Sequence, residues 1–370
     1  MNLQRPLTTD NCKLTTVGSR LRRVVHLPVY AENAYQPMLM DSQRKLGWDV
    51  IDGGGGGNFL RTALRNWRPD ILHVHWLHPY LLRNGALASW ARGWRFLAEI
   101  ALIRRSGTRI VWTVHNLANH AQQHGNIELA MTRRFVRQCD LILTHGNFAV
   151  DVARERFRIP DVVPIQSARF PNYCEQYPVT HGENARELWG LDPKQFVVGF
   201  LGRVEPYKQV VELVQAFRSV AASDACLLIG GRAADSDYAQ EVQRAIDNDT
   251  RIRFLNDYVP KEEVASFLTA CDVIACSSKG ILTSSSVPLA MSFGRAVLAP
   301  SEGCIPEEVG VTGFLYDNSH NEGLLEGLQS VITARDTLAG LGESARRRAE
   351  EASPGKIAEQ IVAGYYSVLL

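Results

Sequence analysis

Residues 197–217 read VVGFLGRVEPYKQVVELVQAF and change their periodicity partway along. The first five form a short β-branched apolar run of the kind that makes a buried strand. Beyond the turn at 202–208, apolar residues recur at helical spacing through 208–222, which predicts an amphipathic helix. A strand that runs directly into a helix is the repeating unit of a parallel α/β sheet.

The same unit recurs along the chain. Seven further apolar runs, separated by helical patterns, predict strands at 24–29, 71–75, 109–114, 141–144, 226–229, 272–276 and 296–299. The polar, turn-rich stretch 170–195 lacks sustained periodicity and divides the chain. We therefore predict two Rossmann-like α/β domains, at 1–175 and 176–352. A C-terminal helix should follow over 353–370, and packing back onto the N-terminal domain is one arrangement open to it.

Composition indicates an ordinary soluble globular protein, with 370 residues, 45% of them hydrophobic and 21% charged. The seven cysteines are scattered and never spaced C-x-x-C, which argues against a disulfide framework or a thiolate metal site. No apolar run approaches the roughly 20 residues that span a bilayer, and the first residues lack a secretory signal. The expected location is cytoplasmic, with the inner face of the membrane as an additional site.

Charge is distributed unevenly between the two halves. Residues 1–180 hold 23 Lys+Arg against 13 Asp+Glu, whereas residues 181–370 hold 17 against 26. The basic half is suited to an anionic partner, such as a phospholipid surface or a lipid-linked pyrophosphate. Residues 90–105 mix aromatics, aliphatics and arginines at helical spacing, which fits either a membrane interface or a half-buried helix. The alternative is that basic side chains merely solvate helix faces. No nucleic-acid-binding motif is present, so no nucleic-acid partner is expected.

Two segments of the second half are suited to an anionic ligand. Arg203 and Lys208 occupy a strand-to-helix turn, where open α/β sheets place their ligands, and together they could clamp a pyrophosphate. Residues 280–300 read GILTSSSVPLAMSFGRAVLAP and predict a helix whose free N–H groups and hydroxyls bind anions. The hydroxyls are those of Thr283, Ser284, Ser285 and Ser286. Surface charges and simple helix capping are the respective alternatives.

Histidines concentrate in the first half, in HVHWLH at 73–78 and WTVHNLANH at 112–120. Each segment begins in a predicted strand and runs off its end. His75, His78, His115 and Asn116 should therefore emerge at the lip of the domain, while His73 lies deeper and has a structural role. A metal site is the rival interpretation, but co-ligands with recognisable spacing are missing, so no metal is expected.

Together these segments resemble the GT-B glycosyltransferases, particularly the family-four-like enzymes of bacterial polysaccharide and glycolipid synthesis. The stretch GRVEPYKQVVELVQAF is similar to their G-R-x-x-x-x-K turn and helix, and three later landmarks follow in order: LLIGG at 227–231, VPLAMSFGRAVLAP at 287–300 and IPEEVGVTGFLYD at 305–317. The resemblance implies two Rossmann-like domains that face each other across a cleft, with the acceptor held by the first and the nucleotide sugar by the second. It assigns Arg203 and Lys208 to the donor diphosphate and places His115 at the donor sugar, and we count Tyr258 with the donor-binding residues.

One departure from that family concerns the mechanism. Retaining members carry two glutamates eight positions apart ahead of A-M, and the corresponding positions here are Ile281 and Leu289. H-V-H-W, W-T-V-H-N and G-I-L-T-S-S-S are similar instead to bacterial enzymes that add β-linked mannose, glucose or glucuronic acid to polyprenyl-diphosphate-linked oligosaccharides. The resemblance therefore implies inversion, a UDP- or GDP-linked donor, and neither metal nor other cofactor. A retaining transferase, a nucleotide-sugar epimerase and an inactive sugar-nucleotide-binding subunit remain alternatives.

Inversion requires a general base beside the acceptor hydroxyl and stabilisation of the leaving diphosphate. The first domain should supply the base. His75 is favoured by reach, and His78, His115 and Glu32 are further candidates for catalysis. Trp76, His78 and Asn116 are the expected acceptor-binding residues.

Overall fold

A computed structural model describes residues 21–30, 33–55, 68–119, 124–178 and 185–370. It contains two six-stranded sheets whose strands all pair in parallel. The first sheet has the order β2-β1-β3-β4-β5-β6. Its strands are β1 Arg23–Leu27, β2 Asp49–Asp52, β3 Ile71–Val74, β4 Arg109–Thr113, β5 Leu141–Thr144 and β6 Ile165–Ser167.

The second sheet has the order β12-β11-β10-β7-β8-β9. Its strands are β7 Phe196–Leu201, β8 Ala225–Gly230, β9 Ile252–Leu255, β10 Val273–Ala275, β11 Ala296–Pro300 and β12 Phe314–Tyr316. Both sheets place ligand-binding loops at the carboxyl ends of their strands, as open α/β sheets do.

Helices cover the faces of both sheets. Those before β7 are α1 Tyr35–Lys45, α2 His78–Leu81, α3 Ala86–Arg105, α4 Gly125–Phe135, α5 Asn147–Phe157 and α6 Ala185–Leu188. Those after it are α7 Val210–Arg218, α8 Ser236–Ile246, α9 Val264–Ala270, α10 Ser286–Ser292, α11 Ile305–Val309, α12 Gly323–Thr333, α13 Leu338–Glu350 and α14 Pro354–Leu369. None of the helices in these ranges combines the length and apolar content needed to cross a bilayer.

The α/β fold with two parallel sheets confirms the prediction from sequence. All eight predicted strands are present, with ends that shift by one or two residues. The short strands β2, β6, β9 and β12 were not assigned bounds. Because each has only three or four residues and all four are edge strands, they carry little apolar periodicity.

The two sheet regions contact each other through polar and apolar groups. The Glu307 carboxylate, before β12, accepts hydrogen bonds from the backbone N–H groups of Asn147 and Phe148 at the start of α5. Gly146 lies so close to Cys304 that an added Cβ would come within 2.7 Å of the cysteine sulfur. Helix α14 packs on α1, on the first sheet's side of the molecule. These contacts close one side of the cleft.

Candidate active site

A cavity of about 190 Å³ lies between the two sheet regions, at the carboxyl ends of their strands. Residues of the first region contribute aromatic, amide and imidazole groups, and residues of the second contribute a lysine and a run of hydroxyls. The lining residues are Asn33, Tyr35, Trp76, His115, Asn116, Phe170, Tyr207, Lys208, Ser278, Ile281, Thr283, Ser284 and Ser285. This described lining contains one ammonium group and no carboxylate.

Lys208 supplies the cationic side of the cavity. It ends a 3₁₀ turn, Pro206–Lys208, that follows β7, and its Nζ lies 5.4 Å from the centroid of the Tyr207 ring. Within the described part of the chain it forms no salt bridge. Burial lowers the pKa of the ammonium group. A half-buried cation without an ionic partner favours an anionic ligand.

Arg203 does not share this cavity. Its side chain is 78% exposed, and its Nη2 atom lies 2.8 Å from the Glu205 carboxylate. The predicted two-cation clamp is therefore not assembled here, and the reason is local. The carboxylate two residues along the same turn neutralises the guanidinium at the surface.

The hydroxyl-rich turn opposite His115 differs from its predicted form. Helix α10 begins at Ser286, so Thr283, Ser284 and Ser285 belong to the turn before the helix. The Thr283 hydroxyl donates to the His115 carbonyl at 3.3 Å, across the cleft. The Ser284 hydroxyl is buried and has no hydrogen-bond partner in the described chain, while Ser286 lies outside the cavity lining. The capping alternative is not supported, because Ser285 at the N-cap makes no side-chain capping bond.

Tyr35 is a cavity residue that the sequence did not single out. Its side chain is 1% exposed, and its hydroxyl has no hydrogen-bond partner among the described residues. The ring lies edge-on to three histidines, His75, His115 and His145, with centroids 5.4–6.1 Å apart. Burying a hydroxyl without a partner is costly, so a polar ligand that bonds to Tyr35 and Ser284 would be stabilised in this cavity.

The predicted acceptor-binding residues lie along one rim. Trp76 stacks on His115, with ring centroids 4.5 Å apart, and Asn116 follows directly after that histidine. Both line the main cavity and a smaller neighbouring one of about 40 Å³. His78 is exposed at the start of α2 and lines only the smaller cavity.

His75 is buried, contrary to the prediction that it emerges at the lip. It is 1% exposed because β1 and β4 flank β3 and Trp76 covers its ring. Both ring nitrogens contact other histidines, His26 at 2.9 Å and His115 at 3.1 Å. His115 lines the main cavity and is open to a hydroxyl there, whereas His75 lines only the smaller neighbouring cavity. Burial lowers the pKa of both imidazoles well below the usual value.

Three other predictions concerned His73, Tyr258 and Glu32. His73 is confirmed as a structural histidine, bonded to the Tyr365 hydroxyl at 2.6 Å and the Thr113 hydroxyl at 2.7 Å. Tyr258 is 66% exposed and outside the cavity lining. Glu32 lies outside the described residues.

The histidines of the first region were the candidates for a metal centre. Ring nitrogens of His26, His73 and His75 lie within 4.8 Å of one another. The His73 and His75 rings are stacked at 22°, however, so their in-plane lone pairs do not converge on one point. An ion there would also displace the bonds of His73 to Tyr365 and Thr113. Transfer from the nucleotide sugar without a metal ion stays a prediction.

Comparison with known proteins identifies the chemistry of this cleft. The model of Glycosyltransferase Family 4 matches residues 46–166, and that of Glycosyl transferases group 1 matches residues 195–334. A GDP-mannose:glycolipid 4-beta-D-mannosyltransferase of Xanthomonas campestris pv. campestris is 31% identical over 286 residues, covering 74% of each chain. The chain belongs to the GT-B glycosyltransferases.

Solved structures show the same fold at low identity. Sucrose-phosphate synthase from Thermosynechococcus elongatus superposes on this glycosyltransferase with a TM-score of 0.75 at 16% identity, covering 94% of this chain and 99% of the other. Anabaena HepE in complex with UDP gives 0.72 at 16% identity, covering 94% and 100%. The family membership supports a transferase over the epimerase and the inactive binding subunit.

The glycosyltransferase cleft shows why Ile281 and Leu289 matter. Ile281 lines the cavity and Leu289 packs among apolar residues, so neither position contributes a carboxylate. Five lining residues were not predicted: Asn33, Tyr35, Phe170, Tyr207 and Ser278. Only the loop before α1 gave a signal, since it follows the first strand at the ligand-binding edge.

Proposed function

We propose that this glycosyltransferase moves a hexose or hexuronic acid from a nucleotide diphosphate sugar to a saccharide acceptor, with inversion and without a metal ion. The observation that carries the proposal is the pairing of half-buried Lys208 with the 283–285 hydroxyls in one cavity opposite His115. A lysine and hydroxyl donors stabilise the charge that develops on a leaving diphosphate. The Xanthomonas relative is named for its use of GDP-mannose, so GDP-mannose is the first donor to test.

Inversion is favoured by the charges in the cavity. The described lining offers no carboxylate next to the transferred sugar, so neither a covalent nucleophile nor the paired glutamates of retaining relatives is available there. The same lack of carboxylate ligands in the described lining argues for a lysine rather than a divalent cation at the diphosphate. The relative's name specifies a β-linked product, and the sugar of GDP-mannose is α-linked, so that transfer inverts.

The acceptor is proposed to be lipid-linked, with polyprenyl diphosphate as the carrier in polysaccharide or glycolipid synthesis. A groove of about 780 Å³ beside α2 and α3 is lined by Arg83, Arg92 and Arg95 together with apolar side chains and one carboxylate, Glu99, which pairs with Arg95 at 2.7 Å. Burial and the neighbouring arginines lower the pKa of Arg92, so the groove keeps an excess of positive charge. A phosphate-bearing lipid surface fits this combination, with the enzyme peripheral at the cytoplasmic face.

Turnover of a panel of nucleotide sugars tests the proposal. The full chain is incubated with UDP- and GDP-linked hexoses and hexuronic acids and a lipid-linked saccharide extract, and nucleoside diphosphate release is recorded with the anomeric configuration of the product. We expect release from one donor and a product of inverted configuration. An acceptor-dependent product with retained configuration would overturn the inversion, and no release from any donor would overturn the donor class.

Lys208→Ala supplies the matched variant, with Lys261→Ala as the control because Lys261 is an exposed lysine outside the cleft. Losing the only ammonium group of the described lining should lower kcat/KM by about 10²-fold or more, on the scale of a lost charge-stabilising donor. Lys261→Ala should leave it unchanged. Equal activity of the two variants would remove Lys208 from the diphosphate site.

A further inference from the structure

Four buried histidines form a continuous hydrogen-bonded chain behind the cleft. The contacts run from the Gln43 Oε1 atom to His26 Nε2 at 2.7 Å, from His26 Nδ1 to His75 Nε2 at 2.9 Å, and from His75 Nδ1 to His115 Nε2 at 3.1 Å. They continue from His115 Nδ1 to His145 Nε2 at 3.2 Å, and end with His145 Nδ1 at 3.3 Å from the Ala168 carbonyl oxygen. All four rings are at least 94% buried.

The order of the strands in the first sheet creates this chain. Strands β1, β3, β4 and β5 are consecutive neighbours, and their carboxyl ends lie at one edge. His26 lies at the end of β1, and His75, His115 and His145 lie one or two residues beyond β3, β4 and β5. Neighbouring parallel strands are about 4.8 Å apart, which brings successive imidazoles within hydrogen-bonding distance.

Counting protons shows what the chain can do. Each of its five contacts needs one hydrogen, and both ends, an amide oxygen and a backbone carbonyl, can only accept. Four neutral imidazoles carry four N–H groups. With the Gln43 amide oxygen facing His26, the four neutral imidazoles therefore lack one of the five hydrogens that the contacts need. A single added proton supplies it.

The Gln43 amide provides a second complete arrangement. If the amide rotates, its NH₂ group donates to His26, and four neutral imidazoles satisfy the remaining four contacts. Its oxygen then accepts from the Tyr365 hydroxyl, which Gln43 Nε2 contacts at 3.1 Å in the structure. The hydrogen bonds from Tyr365 to His73 and from His73 to Thr113 can form in either direction, because each of these side chains can act as donor or acceptor. The two arrangements differ by one proton and lose no hydrogen bond.

We infer that His26, His75, His115 and His145 act as one proton-storing unit, which takes up a single proton through His115 and whose proton affinity is set by Gln43. His115 is the member that lines the cavity. His26 and Gln43 touch no substrate and are positioning residues. The chain itself rests on the geometry alone, whereas its part in catalysis rests on the proposed glycosyl transfer.

The charged and titratable groups around the chain are few. Arg44 on α1 acts on His26, His73 lies between His26 and His75, and Tyr35 and Tyr365 face the rings from α1 and α14. Lys208 faces His115 from across the cavity. Burial lowers the pKa of His26 and of His145 to about 4, so the resting chain is neutral at pH 7.

The proton balance of the transfer closes with this unit. An acceptor hydroxyl that replaces one of the long contacts of His115 gives its proton to the chain as its oxygen forms the bond to the anomeric carbon. The bond from that carbon to the diphosphate oxygen breaks, and its electron pair leaves with the nucleoside diphosphate. The chain gains one proton and one positive charge, which its hydrogen-bonded imidazoles share.

Ring ¹⁵N NMR of the full chain without substrate tests the unit directly. The imidazole nitrogens are followed from pH 8 downward over the range in which the protein stays folded, with exposed His320 as an internal control. We expect the four chain histidines to change together in one step that takes up one proton. Separate titration of the four rings, or no change in them over the whole pH range in which the protein stays folded, would overturn the inference.

Two substitutions at the far end test the coupling to catalysis. Gln43→Glu places a carboxylate that holds the proton, and Gln43→Met removes the acceptor that the extra proton requires. The acid limb of the kcat/KM profile should move up by about one pH unit or more in the first and down in the second. Shifts in the same direction, or none, would contradict the coupling.

The proton-storing unit and the proposed glycosyl transfer can be contradicted separately. If Gln43→Glu does not fold, the ring titration of Gln43→Met must still fall below that of the wild type. If no nucleotide sugar is turned over, the proposed function fails, while the ring titration still decides the chain.

Discussion

At the scale of single residues, the cleft is defined by polar groups that lack partners. Among the described residues, Lys208 is half-buried without a salt bridge, and the hydroxyls of Tyr35 and Ser284 are buried without a hydrogen-bond partner. The three come from both sides of one cavity. Such groups reduce the stability of the free protein and gain most when a polar, anionic ligand enters.

Tyr35→Phe should separate stability from activity. Removing a buried hydroxyl without a partner should leave the free energy of unfolding unchanged or raise it slightly, while sugar transfer falls by about tenfold because a ligand contact is lost. Tyr365→Phe is the matched comparison, since its hydroxyl contacts both His73 and Gln43 and its loss should cost about 1–3 kcal/mol. Denaturant unfolding and kcat/KM measure both. A strongly destabilised Tyr35→Phe protein would show that the hydroxyl has a structural partner.

Arg203→Ala tests how far the structure revises the sequence-based clamp. Because Arg203 is mostly exposed and paired with Glu205, its loss should lower kcat/KM by clearly less than the loss of Lys208. Kinetics of the two variants under identical conditions provide the comparison. An Arg203→Ala defect equal to that of Lys208→Ala would mean that the arginine leaves Glu205 and joins the diphosphate when the donor binds.

At the scale of elements, helix α5 is capped by a side chain from the other sheet region. Its N-cap, Gly146, has no side chain to offer, and Glu307 accepts from the first two N–H groups instead. A carboxylate at a helix N-terminus also interacts favourably with the helix dipole. These hydrogen bonds therefore join the second sheet region to helix α5 of the first.

Glu307→Ala should lower the free energy of unfolding by about 1 kcal/mol, the usual cost of a lost N-cap. Because the cap joins the two regions, the variant should also show a raised KM for the donor. Glu343→Ala is the control, since that exposed glutamate of α13 only faces Arg347 at 3.8 Å. Equal melting temperatures for Glu307→Ala and the wild type would show that the cap contributes nothing in solution.

The elements also show what the sequence can and cannot reveal. Apolar runs and helical periodicity predicted the parallel sheets, and the turn around Lys208 was found because it follows a strand directly. The start of α10 was predicted three residues too early, since small hydroxyl residues suit a turn as well as a first helical turn. The burial of His75 and the missing partners of Tyr35 depend on which strands are neighbours, and one-dimensional periodicity does not contain that information.

At the scale of the whole molecule, the buried histidines link stability to pH. In the unfolded chain a histidine takes up a proton near pH 6.5, whereas burial lowers the pKa of His26 and His145 to about 4. Below about pH 6.5 the unfolded state therefore binds more protons, and stability falls as the pH drops toward 4. Each such histidine accounts for about 3 kcal/mol over that range.

Calorimetric melting at pH 7 and pH 5 should show a clear drop in the melting temperature at the lower pH. His320→Asn should keep the same pH dependence, because that histidine is exposed. A melting temperature that is equal at both pH values would contradict the burial of the histidines as neutral rings.

The arginine-lined groove predicts a second property of the whole molecule. Anionic liposomes should sediment the protein at low salt, and added salt should release it. The double variant Arg83→Ser with Arg92→Ser should lose most of this binding, whereas Arg244→Ser on the second region should keep it. Wild-type protein that stays in the supernatant at low salt would rule out the membrane contact.

Binding of GDP and UDP by calorimetry tests the central claim most directly, because it needs neither acceptor nor turnover. One of the two nucleotides should bind the wild-type protein and should bind Lys208→Ala at least about tenfold more weakly, since its diphosphate loses the ammonium partner. Equal affinity of the two proteins for that nucleotide, or binding of neither nucleotide to the wild type, would contradict the assignment of this cleft to a nucleotide diphosphate sugar.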